Sequence, residues 1–199
     1  MNRYVITKTY DEPPVNMKEI LRYARCDEET EQVSSLVRSC LDEVLPKLTY
    51  KVCYGEFPLE IKDGLCDFGD FSVSSEKLAL NLDCCDRAVI FSGTIGVDID
   101  RIISKYAHLS PSKAVVVQAI GAERIEALCN TFCKDYAKEN RVSLKPRFSP
   151  GFGDLSLDFQ KEIFSVLGCA DRIGVTLRDS MIMSPSKSVT AIVGIKKEV

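Results

Sequence analysis

A change of hydrophobic period near Leu48 restricts this chain more than any other feature. Before it, Val33, Leu36, Val37, Cys40, Leu41, Val44 and Leu45 recur at the i, i+3, i+4, i+7 spacing of an amphipathic helix. Acidic residues fill its first turn in "DEETEQVSSLVRSCLDEVLPKL", as the helix dipole favours, and Pro46 marks its end. Beyond it, Leu48, Tyr50, Val52 and Tyr54 alternate with period two. "FGDFSV", "KLALNL" and "RAVIFSGTIG" read as further short strands up to Ile95, separated by Gly, Asp and Ser turns. Parallel neighbours need a crossover of about a dozen residues or more, and these gaps are too short. An antiparallel sheet is predicted.

Helical patterns return on both sides of that sheet. "NMKEILRYARC" places Met17, Ile20, Leu21 and Ala24 on one face. "VDIDRIISKYAH" predicts a helix after the strands, and a longer one opens at Ser110-Pro111, a serine cap followed by a first-turn proline. It runs to about Lys138 with Val117, Ile120, Ile125, Leu128, Phe132 and Tyr136 along its seam. Gly121 interrupts it at about 1 kcal/mol relative to alanine, which marks a close-packing point or a ligand approach. A helix from about Ser156 to Leu167 stops at Gly168, and the chain closes as strand, turn, strand, with Val189, Ala191, Val193 and Ile195 alternating. Strands and helices in separate runs make the class α+β. The expected organisation is one domain over 1–199, with an N-terminal helical region over 1–46 and an α+β core over 47–199.

Composition narrows the function classes. A net charge of −3 speaks against a general nucleic-acid binder. No apolar run approaches the roughly 20 residues that span a bilayer, and the N-terminus has no signal-peptide core, so a cytoplasmic protein is expected. The nine cysteines suit a reducing compartment better than a disulfide framework. Cys84 and Cys85 are adjacent and Cys129 and Cys133 are four apart; neither pair is a CxxC knuckle, and His108 is the single histidine. Packing thiols are expected, with no metal.

Catalytic signatures are missing. "GTIGVD" lacks the spacing of a nucleotide loop, and no GxSxG is present. One segment does stand out: "KPRFSPGFGD" places Arg147, Pro150, Gly151 and Gly153 in quick succession before a helix start. Proline fixes the backbone, and the glycines permit conformations and approaches closed to other residues. Arg147 offers a five-donor fork suited to a carboxylate, and Phe152 an aromatic face held between glycines. Two readings stand side by side: a rigid turn whose surface arginine pairs with some acid, or a ligand loop.

"RFSPGFG", a short helix, and then "GVTLRDSMIMSPSKSVTAIVGI" resemble the activation domain of cobalamin-dependent methionine synthase. That family's loop reads R-P-A-P-G-Y, matched here by Arg147, Pro150 and Gly151. Its later block, T-E-S-x-x-M-x-P-x-x-S-V-S/T, is matched by Asp179, Ser180, Met183, Pro185, Ser188, Val189 and Thr190. "AIGAERIEALCNTF" resembles the family's upstream helix, with Glu126 at its acidic position. The likeness runs in the same order from about Phe91 to Ile195.

The resemblance implies a bent, largely antiparallel α+β domain that binds S-adenosylmethionine and supports reductive remethylation of cob(II)alamin. It implies that Arg147 holds the ligand carboxylate, that the backbone around Ser149, Pro150, Gly151 and Gly153 contacts the ligand, and that Glu126 faces its positive end. Phe152 stands where the family has tyrosine. The N-terminal Asp-Trp-Thr-Pro segment and the paired C-terminal tyrosines have no counterpart, nor do the homocysteine, folate and cobalamin modules. The expectation is a free-standing accessory subunit with no catalytic centre of its own. Its partner would be a separate core methionine synthase or related corrinoid protein that holds the cobalamin, reduced by a flavodoxin-like or other donor. The alternative is a non-catalytic cap of a corrinoid methyltransferase that no longer binds S-adenosylmethionine.

Overall fold

The structure, a computed structural model, describes residues 4–26, 28 and 30–197. Asp27 and Glu29, expected at the entrance of the first long helix, lie outside the described residues, as do 1–3 and 198–199. In chain order the elements are β1 (Ile6–Tyr10), α1 (Met17–Tyr23), α2 (Glu31–Val44), β2 (Tyr50–Pro58), β3 (Glu60–Lys62), β4 (Leu65–Asp67) and β5 (Ser72–Ser74). They continue with α3 (Glu76–Asn81), β6 (Cys85–Thr94), α4 (Asp98–Leu109), α5 (Pro111–Asn140), α6 (Gln160–Leu167), α7 (Cys169–Ile173), β7 (Thr176–Leu177), β8 (Met183–Ser184) and β9 (Ser188–Lys196). The class is α+β.

The central sheet has the order β1-β2-β6-β9, and all its pairings are antiparallel. Alternation along its strands sends side chains to two separate cores. Val52, Val89, Phe91, Ala191, Val193 and Ile195 face the layer of α1, α2, α4 and α5. Cys53, Phe57, Ala88, Ile90 and Ile192 face the other side, covered by the small β3-β4-β5 sheet, α3, α6 and α7. Burial on both faces explains why β6 and β9, at the centre of the packing, are buried along nearly their whole length. Within the helical layer, Tyr54, Phe91 and Tyr136 surround Phe132, with Phe91 and Phe132 centroids 4.6 Å apart.

The N-terminal segment does more than supply helices. β1 pairs with β2 from Ile6 opposite Tyr54 to Tyr10 opposite Tyr50, forming one edge of the sheet. At the other edge, Leu144 bridges Ile195 and Phe148 exchanges backbone hydrogen bonds with Ile192 at 2.9 and 2.8 Å. That strip carries the chain from α5 into the proline-glycine loop.

"KLALNL" is a helix, not the strand expected from its alternating leucines. Ser75 caps α3 by accepting from the Leu78 backbone N–H, and Glu76 sits in the first turn. A helix places Leu78 and Leu82 on one face, and both are fully buried, whereas Leu80 is 77% exposed. As a strand, all three would point the same way. The added α7, directly after Gly168, was also not expected.

Gly121 is a close-packing point. A Cβ there would lie 2.9 Å from Lys187 Cε and 3.1 Å from Ile99 Cγ1. The turn carrying Lys187 is anchored by Ser186, whose backbone N–H donates to Asp100 at 2.8 Å. Desolvation lowers the Lys187 pKa below the ordinary lysine value.

Candidate functional site

The loop after Arg147 is built to hold its shape. Gly151 and Gly153 have φ of +85° and +62°, conformations that side-chain-bearing residues adopt only under strain. The Gly151 N–H donates to Leu155 O at 2.9 Å, and the Phe152 N–H to Ser149 O at 3.1 Å. Pro150 is buried beneath the turn. A Cβ on Gly153 would sit 2.6 Å from Lys77 Cδ, so the loop lies directly against α3.

Asp154 locks that contact. Its carboxylate accepts from the Ser75 hydroxyl and from the backbone N–H groups of Glu76, at 2.8 Å, and Lys77, at 3.3 Å. These donors, the Ser75 hydroxyl foremost, hold its carboxyl below the usual aspartate value. Asp154 thus caps a helix from a distant part of the chain, a role invisible in the linear sequence.

Phe152 is presented outward, 71% exposed, and supported edge-on by Phe148 at a centroid distance of 5.9 Å. An aromatic ring fixed between two constrained glycines and left in solvent is available for stacking.

Arg147 and Glu126, 21 residues apart in sequence, are brought together. Arg147 Nη2 donates to Glu126 Oε2 at 2.7 Å and to Asn130 Oδ1 at 3.1 Å. Its other terminal nitrogen, Nη1, is buried without a hydrogen-bond acceptor. Around the guanidinium lie the Cys129 and Cys133 thiols, which burial pushes up to about 12 and about 11, against the pull of the Arg147 charge. They stay protonated, and a thiol sulfur is a weak acceptor at best. The guanidinium is therefore committed on one side and unsatisfied on the other.

Glu126 and Asn130 also line a cleft of about 560 Å³ between α5 and the segment before α1, with Pro13, Pro14, Asn16 and Glu123. That wall is pinned by an internal ion pair. Arg124, fully buried, bonds Glu123 at 2.5 Å and donates to Pro13 O at 2.5 Å and Pro14 O at 2.8 Å. Glu123 Oε1 in turn accepts from the Asn16 N–H at 3.1 Å. Pro13, Pro14 and Asn16 were missed as site-forming residues. The sequence signal was the "ER" dipeptide at 123–124 on a face otherwise apolar, but its partners lie over a hundred residues away.

The "DSMIMSPSKSVT" block lies elsewhere. Ser188 Oγ lies 2.9 Å from both Thr94 Oγ1 and Pro185 O, donating to the carbonyl, and fastens the β8–β9 turn to β6. Asp179 and Met181 line a different cleft, against α6 and α7. The block is linked to the Arg147 loop through β9, whose Ile192 pairs Phe148. His108 is exposed at the end of α4. All nine cysteines are free thiols, and among the described residues no group of three or more His, Cys, Asp or Glu is arranged to hold a metal ion. No described helix is long and apolar enough to cross a membrane.

No protein-family model matches the chain, and no curated protein sequence does. Among solved structures, the chain is similar to the MetH reactivation domain bound to AdoHcy. The TM-score is 0.72 over 98% of this chain and 79% of that one, at 13% sequence identity. This protein has the fold of the MetH reactivation domain.

Proposed function

We propose that this protein is an S-adenosylmethionine-binding accessory subunit that supports reductive remethylation of cobalamin on a separate methionine synthase. The observation that carries the reading is Arg147. Its Nη2 is engaged by Glu126 and Asn130 while its Nη1 is buried and unpaired, at the start of a rigid loop in a fold shared with a domain that binds AdoHcy. An orphaned guanidinium donor suits a carboxylate, which accepts two parallel N–H bonds.

Arg147 would hold the ligand carboxylate, and Glu126 its ammonium or sulfonium. The backbone at Ser149, Pro150, Gly151 and Gly153 would line its path, and Phe152 would offer an exposed ring to a flat or cationic group. S-adenosylmethionine supplies the methyl group, and the partner protein would hold the cobalamin that receives it. This chain's residues then bind and orient, which accords with a site whose carboxylate, Glu126, is paired with Arg147 and whose thiols stay protonated. The partners would be a core methionine synthase or related corrinoid protein and a flavodoxin-like or other reductant.

Titration with S-adenosylmethionine and AdoHcy tests the ligand. At about 100 times the dissociation constant, ligand stabilises the fold by about 2.7 kcal/mol, which is roughly 5–10 °C in Tm. A folded wild-type protein with no shift would sink the ligand assignment. Recovery of activity by an oxidised methionine synthase lacking its own activation domain, on adding this protein, ligand and reductant, tests the role.

A second reading has its own support in the Glu126–Arg147 ion pair, which already gives the Arg147 charge an internal partner at Nη2, and in Phe152, which lacks a tyrosine hydroxyl. Under it the protein caps a corrinoid module without binding S-adenosylmethionine. Association with a corrinoid protein in the absence of any ligand-induced Tm shift distinguishes the two.

A further inference from the structure

Remote from the Arg147 loop, Cys53 on β2 and Cys169 at the start of α7 bring their sulfurs 3.9 Å apart across 116 residues of sequence. Both side chains are fully buried in the core on the α6–α7 side of the sheet. Ser92, directly opposite Cys53 on β6, is also fully buried, and its Oγ has no hydrogen-bond partner. Two thiols and an unpaired hydroxyl therefore share one dry site. The pair lies beside a cleft of about 690 Å³ between α6, α7 and the segment around Arg178, lined by Phe164, Gly168, Cys169 and Ala170, with the Cys169 side chain itself buried.

We propose that Cys53 and Cys169 form an oxidisable dithiol that closes to an intramolecular disulfide under peroxide. The two thiols are not equivalent. Cys53 donates its S–H to the Cys169 sulfur, which favours the Cys169 thiolate and lowers its pKa; the same bond raises that of Cys53. Cys169, whose sulfur accepts that S–H, is the attacking sulfur of the pair.

The chemistry closes with peroxide as the oxidant. The Cys169 thiolate attacks one peroxide oxygen, the O–O bond breaks, and the departing hydroxide takes a proton to become water, leaving Cys169 as a sulfenic acid. The Cys53 sulfur then attacks the Cys169 sulfur. The S–S bond forms, the S–O bond breaks, and the hydroxide leaves as water with the Cys53 proton. Two thiols lose two electrons and two protons, and one peroxide becomes two waters. A dithiol reductant reverses the step by exchange.

The other cysteines are less suited. Cys129 and Cys133 are held protonated beside Arg147 by burial. Cys84 is exposed while its neighbour Cys85 is buried with its S–H directed to the Asp83 carbonyl.

Treatment of the reduced full chain with hydrogen peroxide, quenching with an alkylating agent and non-reducing peptide mapping tests the proposal. The expected result is a monomer lighter by two hydrogens, with one linked pair of peptides containing Cys53 and Cys169, restored by dithiothreitol. Cys53→Ala and Cys169→Ala each abolish the link, whereas Cys84→Ala leaves it intact. Full alkylation of both Cys53 and Cys169 after peroxide treatment, or a bridge that joins other cysteines or separate chains, overturns it. Should the alanine variants fail to fold, the wild-type peptide map decides by itself.

Discussion

Arg147 reaches back across the sheet edge to Glu126, Nη2 to Oε2 at 2.7 Å, and so ties the glycine loop to the middle of α5. Both side chains are partly exposed, 24% and 41%, so the pair itself contributes only about 0–1 kcal/mol to folding. Arg147→Ala should therefore lower Tm by no more than a few degrees. On the proposed function it should also abolish the ligand-induced shift. A variant that keeps the full shift with S-adenosylmethionine removes Arg147 from the site.

Arg124 is a different case, because it is fully buried beside Glu123. Arg124→Met leaves the Glu123 charge uncompensated and strips donors from Pro13 O and Pro14 O. The expected loss is about 3–5 kcal/mol, measured by denaturant unfolding. A loss below about 1 kcal/mol would mean that the N-terminal segment is not held by this residue.

The loop conformation makes Gly153→Ala costly. Its φ of +62° disfavours a side chain by about 1–2 kcal/mol, and the new Cβ meets Lys77 Cδ at 2.6 Å. Unfolding measurements should show at least that loss. An equal or greater stability of the alanine variant contradicts the left-handed turn.

Asp154 predicts a pH signature. Its carboxyl is held below the ordinary value of 3.8, so its stabilisation is present above that value and lost as pH falls through the depressed folded value. Wild type should melt above Asp154→Asn at pH 6, and the gap should narrow below about pH 3.8. A gap independent of pH would assign the effect to shape rather than charge.

The α3 helix separates two leucines that a strand would treat alike. Leu78→Ala should cost about 2–5 kcal/mol, because its side chain is fully buried. Leu80→Glu, at a site 77% exposed, should stay within about 0.5 kcal/mol of wild type. Equal large losses would return this segment to the strand reading.

Local pattern determined a good deal of this protein. The i, i+3, i+4 recurrence from Val33 to Leu45, the Ser110-Pro111 helix start and the period-two run beyond Leu48 fixed the α+β class, because periodicity is a property of adjacent residues. The same holds for the rigidity of the Pro150–Gly153 turn, since proline and glycine carry their backbone preferences with them. The central sheet, by contrast, joins β2 to β6 across the small sheet and α3 rather than across a short turn. Tertiary structure decided what local pattern leaves degenerate. Leu78, Leu80 and Leu82 satisfy a strand as well as a helix until the Ser75 cap and the Asp154 carboxylate close the first turn of α3. Glu126 meeting Arg147, Arg124 holding Pro13 and Pro14, and Cys53 facing Cys169 all join distant residues. Such pairs depend on strand order and on which helix covers which face, and no window of neighbouring residues contains that information.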